Sequence, residues 1–136
     1  MLLNLTDLSS EPLQSQIVRQ IRAKVLSNEL PAESDLPSIR ALARDQHISV
    51  ITVKRAYESL EREGLIHSRR GKGFFVSDII DERKKSMANI RLFENLEPVI
   101  NSALAEGLAP EEIKNIVASI LNQRKKSIEN TGEYDG

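Results

Sequence analysis

Basic side chains are concentrated in one stretch of a chain whose overall charge is close to zero. The 136 residues have a formal net charge of −1, from 19 Lys and Arg against 20 Asp and Glu. Residues 36–76 contain four acidic residues and the eight basic residues Arg40, Arg44, Lys54, Arg55, Arg62, Arg69, Arg70 and Lys72. Guanidinium and ammonium groups attract phosphate, and their local concentration predicts binding to nucleic acid.

Residue types needed for other chemistry are missing or badly placed. The chain has no Cys, which excludes a disulfide, a thiolate metal site and a Cys nucleophile. His47 and His67 are far apart and make a poor metal site. The triplet at 71–73 lacks the Ser or Thr that follows the lysine of a nucleotide-binding loop. We therefore predict no enzyme activity, no catalytic residue, no metal and no cofactor.

Composition places the chain among ordinary globular proteins. Apolar residues make up 40% and charged residues 29% of the sequence. No apolar run approaches the ~18 residues of a membrane span, and the first residues lack the pattern of a signal peptide. We expect a cytoplasmic protein without a membrane contact, with one small domain and an appendage.

Two capped helices separated by a short turn are predicted in the basic stretch. Ser38 can cap a helix over roughly 39–45, residues 47–49 form a turn, and Ser49 can cap a helix that continues to about Glu63. The i, i+3, i+4, i+7 spacing of the last helix predicts a buried face of Val53, Ala56, Tyr57 and Leu60.

An earlier helix should support these two. We expect it to begin at a Ser10 cap and to end near Asn28, after a loosely held lead-in at residues 1–9. Its apolar stripe consists of Leu13, Ile17, Ile21, Val25 and Leu26.

A basic hairpin follows the three helices. Two short apolar runs, 65–67 and 74–76, flank a five-residue loop, 69–73, made of Arg, Gly and Lys. The predicted fold is mainly α with a small β-hairpin, in which residues 1–77 form a winged helix-turn-helix domain and the hairpin is the wing.

The tail at 78–128 is predicted to hold two amphipathic helices. Pro98 must start, kink or interrupt the earlier one, Gly107 ends it, and the later one begins at Pro110 and closes at residues 124–126. We expect residues 129–136 to be a disordered end. The apolar stripes consist of Ile90, Phe93, Leu96, Ile100, Ala103 and Leu104, and of Ile113, Ile116, Val117, Ile120 and Leu121.

Two helices of this size cannot bury both stripes on each other. Pairing with a second copy of the chain is the favoured solution, because closed two-fold dimers are common. Packing of the tail against the first helix is the alternative. The residues expected in a homodimer interface are Ile90, Phe93, Leu96, Ile100, Leu104, Ile113, Ile116, Val117 and Ile120.

The helix that begins after Ser49 is the best candidate to enter a DNA major groove. Val50 and Ile51 suit thymine methyl groups if exposed, although they could instead pack on the preceding helix. Arg44 could contact DNA or pair with Asp45 or Glu58. The candidate DNA-binding residues are Arg40, Ser49, Val50, Ile51, Thr52, Lys54, Arg55, Arg70, Gly71, Lys72 and Gly73.

An ordered set of motifs runs through the same stretch: Leu36-Pro37-Ser38, Arg40, Leu42-Ala43, Ile48-Ser49, Thr52-Val53, Ala56-Tyr57, Leu60-Glu61, Glu63-Gly64-Leu65-Ile66, Arg70-Gly71-Lys72-Gly73 and Phe75-Val76. From about Pro12 to Val76 the chain resembles the GntR family of bacterial transcription regulators. The resemblance implies dimeric binding to operator DNA, with contacts from Arg40, Ser49, Thr52, Lys54 and the wing at 70–73.

The short tail resembles that of the YtrA-type subfamily. This implies a dimerising tail without a large effector pocket, and often control of transporter operons. The chain departs from the family at Val50, where many relatives have Arg, and at Ile51, often Thr or Asn. It also has Glu33 where Gly is frequent.

These features favour a homodimeric, sequence-specific transcription regulator, expected to be a repressor of a pseudo-palindromic operator. Its partners would be double-stranded DNA and a second copy of itself, and the residues identify no small-molecule effector. A winged-helix module that binds protein partners, without sequence-specific DNA binding, is the alternative.

Overall fold

The computed structural model describes the backbone of residues 1–135 and the side chains of residues 1–128. The described elements are α1 (Leu13–Leu26), α2 (Ile39–Gln46), α3 (Val50–Arg62), β1 (Ile66–Arg69), β2 (Gly73–Val76), α4 (Asp81–Ala105) and α5 (Pro110–Asp135). They belong to two compact units, Met1–Ala88 and Asn89–Gly136. This is the mainly helical fold with one hairpin that the sequence predicts.

Serine caps start the two helices of the helix-turn-helix, as predicted. The Oγ of Ser38 accepts a hydrogen bond from the backbone N–H of Ala41, and that of Ser49 accepts one from Thr52, both at 3.1 Å. His47 lies between the helices with a left-handed φ of 56°. The caps satisfy donors that a helix start leaves free, and so fix where α2 and α3 begin.

The predicted start of α1 is wrong. Ser10 does not cap it; α1 begins at Leu13, after Pro12, and has no side-chain cap. Pro12 has an extended ψ of 147°, which keeps it outside the helix. The predicted end is close, because α1 stops at Leu26 and Asn28 adopts a left-handed φ of 67°.

The first residues are held firmly, contrary to the expected loose lead-in. The Gln20 amide accepts from the Asn4 N–H and donates to the Asn4 carbonyl, each at 2.8 Å. One turn earlier, the Gln16 amide pairs with both backbone groups of Thr6, at 3.0 and 2.7 Å. These two side chains bond the backbone as a neighbouring strand would, and Leu3 is buried in the core.

The core lies where α1 and α3 pack together. The predicted buried face of α3 is confirmed, since its four residues are all 0% exposed. Helix α1 contributes Ile17, Ile21 and Val25 to the core. The hairpin and the residue before it contribute Leu65, Ile66 and Val76. The Arg22 guanidinium forms two 2.8 Å hydrogen bonds to the Glu63 carboxylate and so joins α1 to the end of α3.

The wing is a tighter hairpin than predicted. β1 and β2 pair antiparallel from Ile66 with Val76 to Arg69 with Gly73, so the loop has three residues, 70–72, instead of five. A hydrogen bond of 2.9 Å from the Lys72 N–H to the Arg69 carbonyl closes the turn. Positive φ values at Gly71 (75°) and Gly73 (102°) allow this short loop, because glycine has no Cβ to oppose them.

The connector between α1 and α2 lies along the free edge of β2. The Glu33 N–H donates to the Val76 carbonyl at 2.8 Å, and the Leu36 N–H donates to the Phe74 carbonyl at 3.0 Å. In return the Val76 N–H donates to the Ser34 carbonyl at 3.0 Å. The wing is therefore anchored on both sides, by α3 and by this connector.

Helix α4 is continuous through Pro98. The proline neither starts nor interrupts it, although it removes the N–H that would bond to the Glu94 carbonyl. The first turns of α4 belong to the first compact unit, where Lys84 is 5% exposed and its Nζ donates to the Asn28 Oδ1 at 2.5 Å. Gly107 has a φ of 98° after the end of α4, as its predicted role requires.

Helix α5 extends beyond its predicted end at residues 124–126, since its backbone is helical to Asp135. The side chains of residues 129–136, which the sequence predicts to be a disordered end, lie outside the described part of the structure. That expectation stays a prediction.

Tyr57 joins three parts of the winged unit, by which we mean the segment from α1 to β2 within the first compact unit. Its hydroxyl donates to the Pro37 carbonyl at 2.8 Å, and its ring meets Phe74 edge-on at 5.0 Å between centroids. Burial raises the pKa of the Tyr57 phenol above its ordinary value of 10.0, because the phenolate would lose its hydration. The hydrogen bond from its hydroxyl therefore contributes stability only while the phenol is protonated.

We expect Tyr57→Phe to lower the free energy of unfolding by about 1 kcal/mol at neutral pH, since the Pro37 carbonyl loses its donor. Above a pH of about 10 the unfolded tyrosine ionises whereas the folded one does not, so the wild-type protein loses stability that the variant keeps. Urea unfolding at neutral pH and above a pH of about 10 should show that the difference in free energy of unfolding between the two proteins becomes smaller at the higher pH. A difference that is constant with pH would contradict this account.

Candidate nucleic-acid interface

The first turn of α3 exposes apolar side chains. Val50 is 47% and Ile51 is 60% exposed, although α2 lies next to them in the sequence. The alternative that they pack on α2 therefore does not hold, and Ile48 is the residue of this segment that packs on the core. Exposed methyl groups at the start of a helix have the chemical character that an apolar contact with a thymine methyl group requires.

The hydroxyls of this turn bond to each other. The Ser49 Oγ and the Thr52 Oγ1 are 3.0 Å apart, in addition to the cap that Ser49 provides. Each hydroxyl keeps further hydrogen-bonding capacity, so a second partner remains possible. Ser49 is exposed and Thr52 half-buried, which makes Ser49 the more accessible of the two candidates.

Five of the candidate DNA-binding residues are exposed cations that have no partner in the described part of the chain. Within the described residues they have neither an ion pair nor a hydrogen bond from the side chain: Arg40, Lys54, Arg55, Arg70 and Lys72. Arg40 is the second residue of α2, where a positive charge is unfavourable to the helix dipole. We call this group the free cations.

Two other arginines of the basic stretch are already paired. The Arg44 Nε lies 3.4 Å from the Asp45 Oδ1, which favours the surface-charge interpretation of Arg44. The Arg69 Nη2 lies 2.5 Å from the Glu33 Oε2, and its guanidinium lies 4.8 Å from the centre of the Phe75 ring. The sequence did not reveal the second pair, because 36 residues separate its members and no motif relates them.

The wing presents its loop to solvent. Arg70, Gly71, Lys72 and Gly73 are all exposed, and the glycines leave the backbone open to close approach. The Tyr57–Phe74 contact and the buried Leu65 and Ile66 hold the hairpin on α3. The structure thus joins the predicted residues of α3 and of the wing in one rigidly packed unit.

The tail residues predicted for dimerisation are largely exposed. Leu96, Ile100 and Ile113 are half-buried, whereas the remaining six are classed as exposed: Ile90, Phe93, Leu104, Ile116, Val117 and Ile120. Leu92, Val99 and Leu121 are also exposed, by 61 to 64%. These side chains are uncovered in the single chain.

Neither a metal-binding cluster nor a membrane-spanning helix is found among the residues that the structure describes. No group of three or more His, Cys, Asp and Glu side chains is arranged to hold a metal ion in that part of the chain. No described helix combines the length and the apolar character needed to cross a bilayer.

Comparisons with known proteins agree on one family. Residues 13–76 match the model described as bacterial regulatory proteins, gntR family. The HTH-type transcriptional repressor YtrA of Bacillus subtilis is 33% identical over 125 residues, which cover 86% of this chain and 93% of that protein. The uncharacterized HTH-type transcriptional regulator YhcF of the same species is 33% identical over 108 residues, which cover 77% of this chain and 86% of that protein. Both similarities therefore extend from the winged part into the tail.

The same result holds in three dimensions. A solved structure of a GntR family transcriptional regulator from Listeria monocytogenes is similar with a TM-score of 0.70 and 27% identity. The match covers 82% of this chain and 96% of that one.

The cap at Ser49 can be separated from a DNA contact. Ser49→Ala should lower the free energy of unfolding by about 1 kcal/mol, because the first turn of α3 loses its acceptor, whereas Ser49→Asp should restore most of it. If α3 faces DNA, Ser49→Asp should nevertheless bind DNA more weakly than the wild type, because its carboxylate repels phosphate. Chemical denaturation and a gel-shift titration measure the two effects. DNA binding that simply follows stability in both variants would argue against contact at this turn.

Proposed function

We propose, because the chain belongs to the gntR family of bacterial regulatory proteins, that it is a homodimeric repressor of a pseudo-palindromic operator. Its relatives are transcription regulators and not enzymes, and its winged helix-turn-helix is the DNA-binding part. The observation that carries the proposal is the first turn of α3, where exposed Val50 and Ile51 adjoin Lys54 and Arg55, which have no partner among the described residues.

The free cations would supply affinity and the first turn of α3 would supply sequence choice. Contacts from Lys and Arg to phosphate release counterions, so binding should weaken steeply as salt rises. Val50 and Ile51 offer no hydrogen bond, but their methyl groups suit thymine. We infer an operator half-site in which T·A pairs face these residues, flanked by phosphates that contact Arg40, Arg70 and Lys72.

A second copy of the chain is the partner that we propose for the tail. The exposed apolar side chains recur on successive turns of α4 and α5, a pattern that contact with water does not explain. An α4 and α5 pair from each copy would cover them and present two winged units to two half-sites. In such complexes the half-site centres are about 34 Å apart, one helical turn of DNA.

The cellular role follows from the same premise. The similarity to YtrA, named a transcriptional repressor, supports repression, and the resemblance to YtrA-type regulators suggests transporter genes as targets. We infer that the protein acts in the cytoplasm, where bacterial DNA is found. Selection of bound fragments from the source genome, followed by gel-shift titration, would identify the operator; absence of binding to any fragment at low salt would overturn the proposal.

Thymine recognition by Ile51 can be tested on both partners at once. Ile51→Ala should weaken operator binding by about 1 kcal/mol for the methyl contacts it loses. Replacing thymines of the half-site by deoxyuridine, which removes only the methyl group, should weaken wild-type binding by a similar amount. At the thymine that Ile51 contacts, the two changes together should cost no more than one of them, because each removes the same contact. Additive losses at every thymine would place Ile51 away from these bases.

The dimer can be tested at one exposed position of α4. Phe93→Glu should convert the dimer to monomers, because a carboxylate would enter the apolar interface, and should lower operator affinity at least tenfold through the loss of simultaneous half-site contacts. Asn95→Glu adds the same side chain at an exposed polar neighbour and should change neither property. Sedimentation velocity and gel shift measure both. A Phe93→Glu protein that sediments as the wild type would exclude this part of α4 from the interface.

A further inference from the structure

Glu33 has an unusual backbone conformation beside the wing. Its φ is +66°, a left-handed value that side chains with a Cβ rarely adopt. The hydrogen bond from its N–H to the Val76 carbonyl, at 2.8 Å, fixes it against β2. Glycine would adopt this conformation without strain, whereas glutamate is strained in it. The strain accompanies the placement of a carboxylate beside the wing.

That carboxylate faces the outer side chains of the hairpin. Its Oε2 lies 2.5 Å from the Arg69 Nη2 and 3.6 Å from the His67 Nε2. Phe75 supports both partners, since the Arg69 guanidinium lies 4.8 Å from the centre of its ring and the His67 ring stacks on it at 6.0 Å. Glu33 thereby holds the Arg69 guanidinium beside Phe75 of β2, the strand that follows the loop.

The pairing changes the charge that the wing can offer to DNA. Of the three basic residues at 69–72, Arg69 is neutralised by Glu33, whereas Arg70 and Lys72 have no partner in the described chain. The side chains of Glu33 and Arg69 are 45% and 49% exposed, so the Arg69 guanidinium can be reached from solvent. A phosphate could contact it if the carboxylate were absent.

We propose that Glu33 restrains DNA binding: it withholds Arg69 from the phosphate backbone and so limits the affinity of the wing for DNA of any sequence. Glu33 is a positioning residue that acts through Arg69, and the inference rests on the proposed DNA-binding function. A regulator must find one operator among many competing sites, so a smaller sequence-independent affinity leaves more protein free to find it.

The test is the salt dependence of binding to a scrambled DNA fragment and to the operator, using the full chain. Glu33→Gln keeps the size of the side chain, removes its charge and should release Arg69 to one additional phosphate. Each subunit of the proposed dimer gains one phosphate contact, so the slope of log affinity against log salt should steepen by about 1.8, and a fourfold rise in salt should lower affinity by an extra factor of about 12. Glu33→Gly should give the same change in slope. Because glycine adopts a left-handed backbone without strain, this second variant controls for a folding defect caused by glutamine.

Two controls separate the restraint from a general effect of charge. Glu29→Gln changes the net charge equally but removes a different ion pair, with Lys24 at 3.3 Å, and should leave the slope unchanged. Arg69→Met should also leave the slope at the wild-type value, because Arg69 contacts no phosphate while Glu33 holds it. The double variant Glu33→Gln with Arg69→Met should have the wild-type slope, because the arginine that gains the phosphate contact is no longer there.

The outcomes that overturn the inference are distinct from failure of the function itself. Equal slopes for Glu33→Gln, Glu29→Gln and the wild type, or a flatter slope for Arg69→Met alone, would show that Glu33 does not withhold Arg69. Flatter slopes in both Glu33 variants would show that the pair aligns the wing for binding and would likewise refute the restraint. If the unmodified protein bound no DNA at low salt, the proposed function and this inference would both be wrong.

Discussion

Burial of one face of α3 is the constraint on which the winged unit depends. A helix places every third or fourth residue on the same side, so fixing Val53, Ala56, Tyr57 and Leu60 in the core also fixes which residues face outward. Each large apolar side chain buried in this way contributes about 1.5–3 kcal/mol, far more than an exposed ion pair. The orientation of Lys54 and Arg55 is therefore determined by packing and not by their own contacts. The same face holds the wing, because Tyr57 contacts Phe74 and the connector at Pro37.

Most features that depend on near neighbours could be predicted from the sequence, although the Ser10 cap of α1 was predicted wrongly. The Ser38 and Ser49 caps, the buried face of α3, and the left-handed backbone at Asn28 and Gly107 all follow from spacing or from the preferences of single residue types. Hairpin length was less well predicted, because strand pairing extended through Arg69 and Gly73, whose residue types are more typical of a turn.

Features that join distant segments could not be predicted in this way. The bonds of Gln16 and Gln20 to the first residues link a helix to a segment without any periodic pattern. The pair of Glu33 with Arg69 depends on the connector following the edge of β2, which hydrophobic spacing does not encode. For the candidate site, residue types indicated the free cations, and only the packing showed that Arg69 is paired with Glu33. Exposure also decided the position of Val50 and Ile51, which spacing left open.

The glutamine bonds to the first residues have a consequence for how substitutions at the start of the chain should be judged. Gln16 is a polar residue only 2% exposed, among Ile17 and other fully buried side chains, so a hydropathy scale would rate an apolar replacement there as favourable. Such a replacement would leave the backbone groups of Thr6 without partners and would loosen the segment that places Leu3 in the core. Engineered fusions should for the same reason keep Leu3 to Thr6 intact, because those residues close one side of the domain.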